Sequence, residues 1–464
     1  MQTLDNGCTV VLTDDIDKSN AFVEYFSKVY TIESEDSFEP LDQIIGVEMS
    51  NNWNFASKTV YEKLIKLKVD KSPGPDMIHP RVLKELALQI TDALKYIFDV
   101  SLESGALPDD WVCSIVSVIH KKGSKANVSN YRPISLTCIV CKICESIIRD
   151  QIMNYFTVNK LFSPKQYGFI QGRSTVLQLI SIMDKWTLYL EQGGQIDVIY
   201  TDFEKAFDKV PHRRLLSKLE TYGVSGGIIT WIKAFLCNRK DRVRVNGKFS
   251  VSKEVTSGIP QGSVLGPLLF AIYINDLPEY CGNLCELFLF ADDAKLFRHV
   301  RDMTDACVLN EYCQKLYCWS EEWLMKLNTD KCKVLTVART NEVTNFKYEF
   351  LTNGQGDVEL DHVDDMRDLG VLIDGRLTFK DHIYDKINKA FQMLGIINRN
   401  FKDLNEFCFI MLYKCLVRSH MEYANVVWNP YRKGLIEDIE GVQKRATKMV
   451  KGLRKLPYRE IDAS

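Results

Sequence analysis

The chain has 464 residues, with 59 lysines and arginines against 61 aspartates and glutamates, which gives a formal net charge of -2. Its 46% hydrophobic and 26% charged residues exclude a mainly disordered chain, a collagen and a small disulfide scaffold. The near-neutral charge is unusual for a nucleic-acid-binding protein, which normally carries a basic surplus.

Apolar periodicity and turn residues divide the first half of the chain into helices, rigid loops and strands. In chain order the predicted elements are a helix over 14–30, an acidic turn-rich stretch over 33–42, a helix over 59–67, a proline-rich loop over 71–76, a helix over 80–104, a strand over 111–120 and a helix over 139–148. A strand over 196–201 then leads into Asp202.

The second half places acidic residues at the ends and bends of strands. The predicted elements are a helix over 268–275, strands over 287–290 and 294–297, a helical region over 306–327, strands over 333–337, 347–351 and 369–373, and a helical region over 380–455. The pattern predicts an α+β fold.

Targeting signals are not evident in the sequence. The longest apolar stretch, residues 264–274, is too short for a membrane helix and contains Gly266 and Pro267. The N-terminus lacks the pattern of a signal peptide, so we expect an intracellular protein of the nucleus or cytoplasm with no membrane partner. Cys138, Cys141 and Cys144 follow helical spacing, which favours buried thiols over a metal knuckle.

Three aspartates carry the first indication of chemistry. Asp202 ends an apolar strand, and Asp292 and Asp293 interrupt another. Burying unpaired carboxylates is costly, and either a tight hairpin turn or a divalent-metal site would explain the Asp pair. The loop from Ser257 to Pro267 is rich in glycine and proline and opens a helix, so its backbone can approach a ligand closely.

Taken in order, these segments resemble the reverse transcriptases of non-LTR retrotransposons, in particular jockey-like LINE elements. The resemblance spans about residues 21–455. The motifs that carry it are Lys71-Ser-Pro-Gly-Pro-Asp76, Tyr131-Arg-Pro-Ile-Ser135, Gln166-Tyr-Gly-Phe-Ile-Gln-Gly-Arg-Ser-Thr175, the Asp202 strand, Gly258-Ile-Pro-Gln-Gly-Ser263, Phe290-Ala-Asp-Asp293, Leu327-Asn-Thr-Asp-Lys-Cys-Lys333 and Asp368-Leu-Gly-Val371.

The resemblance implies a right-hand polymerase fold, with fingers, a palm built on an antiparallel sheet and a helical thumb. It implies that Asp202, Asp292 and Asp293 are catalytic. Two Mg2+ ions, with Mn2+ as an alternative, would bind Asp202, Asp292 and the Phe203 carbonyl. The implied domains are an N-terminal helical extension over 1–70, fingers and palm over 71–340, and primer-grip strands, thumb and a basic helix over 341–464.

The resemblance also implies roles around the nucleotide. Lys121 and Arg132 would contact the triphosphate, Phe207 would exclude a 2′-OH, Gln261 would lie near the incoming nucleotide, and Lys331 or its rival Lys333 would protonate pyrophosphate. Three of them have a structural alternative: a solvated turn for Lys121, a core aromatic for Phe207 and a surface lysine for Lys331. Leu369, Gly370 and Val371 match the primer grip.

The implied partners are an RNA template, a DNA primer, dNTPs and the RNA of the element itself. A basic helix over 434–455 can follow a phosphate backbone, although a solvated helix face is the alternative. We expect a polymerase region without an endonuclease or a Cys/His zinc knuckle. Two other functions stay open: an RNA-dependent RNA polymerase, which a bulky Phe207 argues against, and a decayed copy that binds RNA without catalysis, which the intact aspartates argue against.

Overall fold

The computed structural model describes residues 2–5, 8–33, 48–49, 55–340, 342–352, 356–401 and 405–450. Within these ranges the chain is a mixed α+β structure, as the sequence predicts. Two five-stranded sheets organise it, and helices pack against both.

The bounds of the elements follow in chain order. The α-helices are α1 Asp15–Ser27, α2 Ser57–Ile65, α3 Pro80–Glu85, α4 Ala87–Ser104, α5 Asp109–Val112, α6 Ile139–Val158, α7 Thr175–Glu191, α8 Ala206–Lys209, α9 His212–Thr221, α10 Gly226–Leu236, α11 Gly266–Tyr273, α12 Leu277–Cys281, α13 Met303–Glu322, α14 Lys380–Asn400, α15 Glu406–Leu412, α16 Ser419–Glu422, α17 Asn425–Trp428 and α18 Lys433–Thr447. The strands are β1 Gln2–Asp5, β2 Cys8–Val11, β3 Cys113–His120, β4 Tyr131–Leu136, β5 Gln195–Thr201, β6 Arg239–Val245, β7 Lys248–Phe249, β8 Lys253–Val255, β9 Glu286–Phe290, β10 Asp293–Val300, β11 Lys333–Ala338, β12 Glu349–Phe350, β13 Val358–Glu359, β14 Asp361–Val363, β15 Asp365–Asp368 and β16 Val371–Asp374. Short 3-10 turns lie at Val128–Asn130 and Thr329–Lys331, and a π-helix at Tyr413–Arg418.

The first sheet has the strand order β14-β11-β5-β10-β9, with β5 in the middle. Its pairs are antiparallel except for β11 with β14, which is parallel. The register of β10 on β5 sets Ala294 opposite Thr201. Asp293, which precedes Ala294, and Asp202, which follows Thr201, therefore lie close together at the same end of these two strands.

Strand β5 is buried along its whole length and faces two different cores. Side chains alternate across a strand, so Val198 and Tyr200 join a core that includes helices α7, α14 and α18. Ile199 joins the larger core that includes helices α4, α6, α10, α11 and α13. The sheet is thus covered by apolar side chains on both faces.

The second sheet has the order β4-β3-β6-β7, and β8 also pairs with β6. The sequence predicts β3 but not β6, whose residues Arg239–Val245 are mostly charged. Helix α1 packs on this sheet through Phe22, Val23 and Phe26, which form a third apolar cluster with Val116 and Val243. Residues of β4 and of the loop after β3 line the same cleft as Asp202, which follows the end of β5.

Several predicted boundaries need correction. The helix predicted over 80–104 is interrupted at Leu86 and forms α3 and α4. The strand predicted over 111–120 begins only at Cys113, because residues 109–112 form the short helix α5. Leu369 and Gly370 do not belong to a strand; both have positive φ and form the turn between β15 and β16.

The C-terminal region is helical, as predicted, and α18 places Leu435, Val442 and Ala446 inward. Lys444, Arg445 and Lys448 are exposed on the opposite side. The predicted basic residues Lys451, Arg454 and Lys455, and most of the acidic stretch over 33–42, lie outside the described residues.

The cysteines at positions 138, 141 and 144 are buried free thiols, which agrees with the packing interpretation. Burial raises the pKa of Cys138 to about 12, so this thiol stays protonated. Across the described ranges, the structure contains no helix with both the length and the apolar character needed to cross a bilayer.

Candidate active site

One cleft lies between the central sheet, the second sheet and helix α13. It brings together the predicted catalytic and nucleotide-contacting residues Lys121, Arg132, Asp202, Phe203, Phe207, Gln261, Asp292, Asp293 and Lys331. These residues come from segments up to 210 positions apart, between Lys121 and Lys331. Lys333, Leu369, Gly370 and Val371 do not line this cleft.

The three aspartates line the cleft where β5 ends and where β9 turns into β10. Asp202 directly follows β5, while Asp292 lies in the tight turn between β9 and β10, where Ala291 has a φ of 56°. Burial, followed by repulsion from Asp202, raises the pKa of Asp292. Burial, followed by the Asp292 carboxylate, raises the pKa of Asp293 to about 6. The turn that sequence reasoning offered as an alternative is therefore present, and it carries mutually repelling carboxylates.

A backbone bridge holds Asp202 and Phe203 against the segment before β11. The Asn328 N–H donates to the Asp202 carbonyl at 2.7 Å, and the Glu204 N–H donates to the Lys326 carbonyl at 2.8 Å. The bridge pairs Phe203 with Leu327 without using the Phe203 carbonyl oxygen. This oxygen keeps the lone pairs that the predicted ligand role needs.

Lys331 donates to the Asp202 carboxylate at 2.6 Å. Its rival Lys333 instead pairs with Asp361 at 2.7 Å on strand β14. The structure therefore places Lys331, and not Lys333, beside the cluster of aspartates.

Lys121 and Arg132 face the aspartates across the cleft. Burial, followed by repulsion from Arg132 and Lys331, lowers the pKa of Lys121, while Asp202 raises it. Arg132 and Lys121 in turn stabilise the charged form of Asp292 and lower its pKa against the effect of burial. Lys121 and Arg132 thus share the cleft with Lys331 and with the three predicted catalytic aspartates.

Carboxylate oxygens that could bind a divalent cation are present in the cleft, but they do not form a coordination site as they stand. Among the residues that the structure describes, no group of three or more His, Cys, Asp or Glu side chains converges closely enough to hold an ion. The Asp202 carboxylate, paired with Lys331, and the Asp292 carboxylate interact electrostatically. Carboxylates that repel one another in this way fit a hard cation, because its charge would remove the repulsion.

Phe207 and Gln261 lie on the wall of the cleft. The Phe207 ring stacks on Phe270, with centroids 4.5 Å apart, and is only partly buried. Phe207 packs on the core and also lines the cleft, and its role in excluding a 2′-OH stays a prediction. Gln261 donates to the Asp208 carboxylate at 2.7 Å, and this bond fixes the loop before α11 against α8.

Sequence reasoning did not identify the residues that support the turn at Asp292. Gln166 is fully buried, and its side-chain oxygen accepts from the Ala291 N–H at 3.1 Å. Gln178 donates to the Leu289 carbonyl at 3.0 Å. Gly168 packs so closely that an added Cβ would lie 2.2 Å from the Ala291 nitrogen. Gln166 and Gly168 of the motif over 166–175 therefore support the turn at Asp292.

Glu145 is a second support that sequence reasoning missed. This buried residue of α6 accepts from the Val264 N–H at 2.7 Å and from the Leu265 N–H at 3.1 Å. Burial raises its pKa, and the two N–H groups oppose that shift. Glu145 thereby fixes the loop that carries Gln261.

The predicted primer-grip residues form a hairpin turn outside the cleft. Asp368, just before the turn, forms a buried ion pair with Lys295 of β10. Val371 is fully buried, while Leu369 and Gly370 lie at the tip. The hairpin is therefore fixed to the strand that begins at Asp293.

Comparison with known proteins decides the family. Residues 119–373, more than half of the chain, match the sequence model of the reverse transcriptase (RNA-dependent DNA polymerase) family. The chain belongs to this family. The matched range of this reverse transcriptase contains all the predicted cleft residues named above, from Lys121 to Lys331.

Relatives of this reverse transcriptase come from mobile elements of Drosophila melanogaster. It is 28% identical over 413 residues to the probable RNA-directed DNA polymerase from transposon BS, a match that covers 84% of this chain and 44% of the relative. It is 26% identical over 432 residues to the probable RNA-directed DNA polymerase from transposon X-element, covering 90% and 46%. It is 28% identical over 404 residues to the RNA-directed DNA polymerase from mobile element jockey, covering 84% and 43%.

The chain spans less than half the length of these curated relatives. The resemblance to reverse transcriptases of non-LTR retrotransposons, which the sequence motifs indicated, is confirmed.

Proposed function

We propose that the chain is an RNA-directed DNA polymerase of a non-LTR retrotransposon, which extends the 3′-OH of a DNA primer on an RNA template. The observation that carries this proposal is the single cleft in which Asp202, Asp292 and Asp293 face Lys121, Arg132 and Lys331. Carboxylates that bind cations, placed opposite basic side chains that bind phosphate, suit nucleotidyl transfer. The template would be the RNA of the element, and dNTPs would be the substrates.

The fold supports a right-hand arrangement. Residues 71–340 would form fingers and palm, with the sheet around β5 as the palm and the sheet around β3 as the fingers. Residues 341–464 would supply the primer-grip hairpin β15–β16, a thumb formed by α14 to α18 and the basic residues of α18. Residues 1–70 would form an extension, whose helix α1 packs on the fingers sheet.

Asp202, Asp292 and the Phe203 carbonyl would hold two divalent ions, Mg2+ or alternatively Mn2+. Bound ions of this kind lower the pKa of a hydroxyl and neutralise phosphoryl oxygens. The repulsion between the carboxylates supports this assignment. The Phe203 carbonyl oxygen, which accepts no hydrogen bond from the described part of the chain, supports it too. Asp293 would add negative charge beside Asp292.

Lys121 and Arg132 would bind the triphosphate. Arginine can donate to two phosphate oxygens at once, and both side chains face Asp292 across the cleft. Charge that spreads over the phosphoryl oxygens in the transition state would then meet fixed cations. Lys331 would leave Asp202 and donate a proton to the departing pyrophosphate.

Phe207 and Gln261 would select the sugar. The ring of Phe207 is backed by Phe270, so it cannot retreat easily from an added 2′-OH. Gln261 is held by Asp208, which keeps its loop close to the nucleotide. The exposed residues Lys444 and Arg445 would follow the phosphate backbone of the template.

Primer extension tests the proposal. The purified protein would be given an RNA template, an annealed DNA primer, Mg2+ and either dNTPs or NTPs. We expect incorporation of dNTPs by the wild-type chain and none by Asp292→Asn. Asp184→Asn, which changes an exposed aspartate of α7, is the matched control and should extend normally.

Three results would count against the proposal. Absence of dNTP incorporation by the wild-type chain, with RNA binding intact, would favour a decayed copy. Incorporation of NTPs in preference to dNTPs would favour an RNA polymerase. Equal activity of the Asp292→Asn and wild-type chains would remove the assigned site.

A further inference from the structure

The turn between β15 and β16 has a backbone conformation that needs support. Leu369 has a φ of 44° and Gly370 a φ of 88°, so both residues lie in the left-handed region. Two consecutive positive φ values make a type I′ hairpin turn, which asparagine and glycine adopt readily and leucine does not. Contacts from elsewhere in the chain must therefore hold Leu369 in place.

Tyr423 supplies such contacts from the C-terminal region. Its hydroxyl donates to the Leu369 carbonyl at 2.6 Å. The same oxygen lies 3.1 Å from the Thr175 hydroxyl at the start of α7. A tyrosine has one O–H to donate, so the Thr175 hydroxyl is the donor in the second bond. One side-chain oxygen thus joins the turn to the motif over 166–175.

The ring of Tyr423 also covers the turn. A Cβ added at Gly370 would lie 3.1 Å from the Tyr423 ring, so the ring packs closely on this backbone. Trp428, which is buried, donates from its indole N–H to the Tyr423 carbonyl at 2.8 Å. The Trp428 ring lies 5.2 Å from that of His382. The segment from Tyr423 to Trp428 is therefore anchored in the core, and its tyrosine is not a free surface side chain.

The opposite side of the hairpin is fixed as well. The buried pair of Asp368 with Lys295 joins the hairpin to β10. The ion pair thereby attaches the end of β15 to the central sheet, while Tyr423 contacts the turn itself. At the tip, Lys386 donates to the Gly370 carbonyl at 3.4 Å, and the Tyr423 hydroxyl donates to the Leu369 carbonyl.

We propose that Tyr423 is a positioning residue for the primer end, acting through the Leu369–Gly370 turn. This rests on the proposed function, in which that turn contacts the primer. The hydroxyl holds the turn in its left-handed conformation and locks it to α7, on the side of the Asp292 turn. Without the hydroxyl, the turn would sample other conformations and would bind the primer end less well.

Tyr423→Phe is the test, and Tyr384→Phe is its matched control. The two tyrosines are equally exposed, at 37% each. The Tyr384 hydroxyl bonds instead to Asp438 at 3.0 Å, away from the turn. Loss of one hydrogen bond, worth about 1 kcal/mol, corresponds to about a fivefold change in an equilibrium constant. We expect Tyr423→Phe to raise the KM for primer–template about fivefold and to leave the KM for dNTP unchanged. Its Tm should fall no more than that of Tyr384→Phe, which also loses one hydrogen bond.

A second measurement does not depend on activity. Amide hydrogen exchange over residues 365–374 should accelerate about fivefold in Tyr423→Phe, and exchange elsewhere in the sheet should not. Tyr384→Phe should match the wild-type chain in both assays. Equal exchange over residues 365–374 in the two variants would overturn the inference, as would an unchanged KM for primer–template in an active enzyme.

The two proposals fail in different ways. If the wild-type chain extends no primer, the proposed polymerase function fails, while the exchange rates still show whether Tyr423 holds the turn. If the wild-type chain is active and Tyr423→Phe behaves like Tyr384→Phe, only the role of Tyr423 fails.

Discussion

Lys295 and Asp368 join strand β10 to the hairpin β15–β16 through a buried ion pair, with side chains 2% and 4% exposed. Replacing Lys295 by methionine keeps the bulk of the side chain and leaves the Asp368 carboxylate buried without its cation. Its remaining partner is the Tyr200 hydroxyl, at 3.4 Å. Breaking a buried pair in this way costs about 3–5 kcal/mol, because the charge left behind is neither hydrated nor compensated.

The neighbouring strand provides a matched control. Lys333 of β11 pairs with Asp361 at 2.7 Å, but the Asp361 side chain is 77% exposed. Lys333→Met should therefore cost less than about 1 kcal/mol. The double change Lys295→Met with Asp368→Asn should recover much of the loss, since it removes the uncompensated charge and keeps an acceptor for the Tyr200 hydroxyl.

Urea denaturation followed by tryptophan fluorescence would measure these free energies of unfolding. The reasoning would be refuted if Lys295→Met and Lys333→Met had equal effects, or if the double change were no more stable than Lys295→Met alone. Either result would mean that burial does not decide the strength of the pair.

Three further predictions concern the cleft and the hairpin. Phe207→Val should lower discrimination against NTPs at least about tenfold, measured as the ratio of kcat/KM for dNTP to that for NTP; an unchanged ratio would contradict a sugar-selecting role. Glu145→Ala should lower the free energy of unfolding by about 2–4 kcal/mol, because the buried N–H of Leu265 and the part-buried N–H of Val264 lose their acceptor. Glu145→Gln, which keeps an acceptor, should lose less in the same urea assay. Burial, and then nearby cations, lower the pKa of His382 to about 4. An unfolded histidine titrates near 6.5, so only the unfolded chain takes up this proton between about pH 6.5 and 4, and stability should fall by about 2 kcal/mol between pH 7 and 5. His382→Gln should remove that part of the pH dependence, and an equal pH dependence in both chains would refute the assignment.

The candidate aspartates of the cleft could be identified from the sequence because their signals are local. Asp202 ends an apolar strand, and Asp292 interrupts one, so each is conspicuous within a few residues of sequence. The supports of these groups have no such signal. Gln166 and Gln178 contact the turn at Asp292 across 125 and 111 positions of the chain, and nothing near them in sequence indicates the partner.

Strand β6 escaped prediction for a different reason. Arg239–Val245 is mostly charged, so it lacks the apolar alternation that indicates a half-buried strand. Arg239 is nevertheless 1% exposed, because its guanidinium donates to the Trp111 and Phe235 carbonyls and to the Ser114 hydroxyl. The burial of such an arginine can be recognised only when the acceptors around its guanidinium are known.

The turn at Leu369 shows a third limit. An apolar residue in a β-rich stretch predicts a strand, and Leu369 is instead in the left-handed region. The contact that stabilises it comes from Tyr423, 54 positions further along the chain. Local propensity is overridden here by tertiary contact.

The burial of β5 on both faces has a consequence for how the chain loses its structure. Ile199 contributes to one core and Val198 and Tyr200 to the other, so neither core can open without exposing apolar side chains of the same strand. Two apolar cores of this size would otherwise be expected to melt as independent units. The shared strand couples them, and a single unfolding transition should therefore destroy the Asp202 site and the C-terminal helices together.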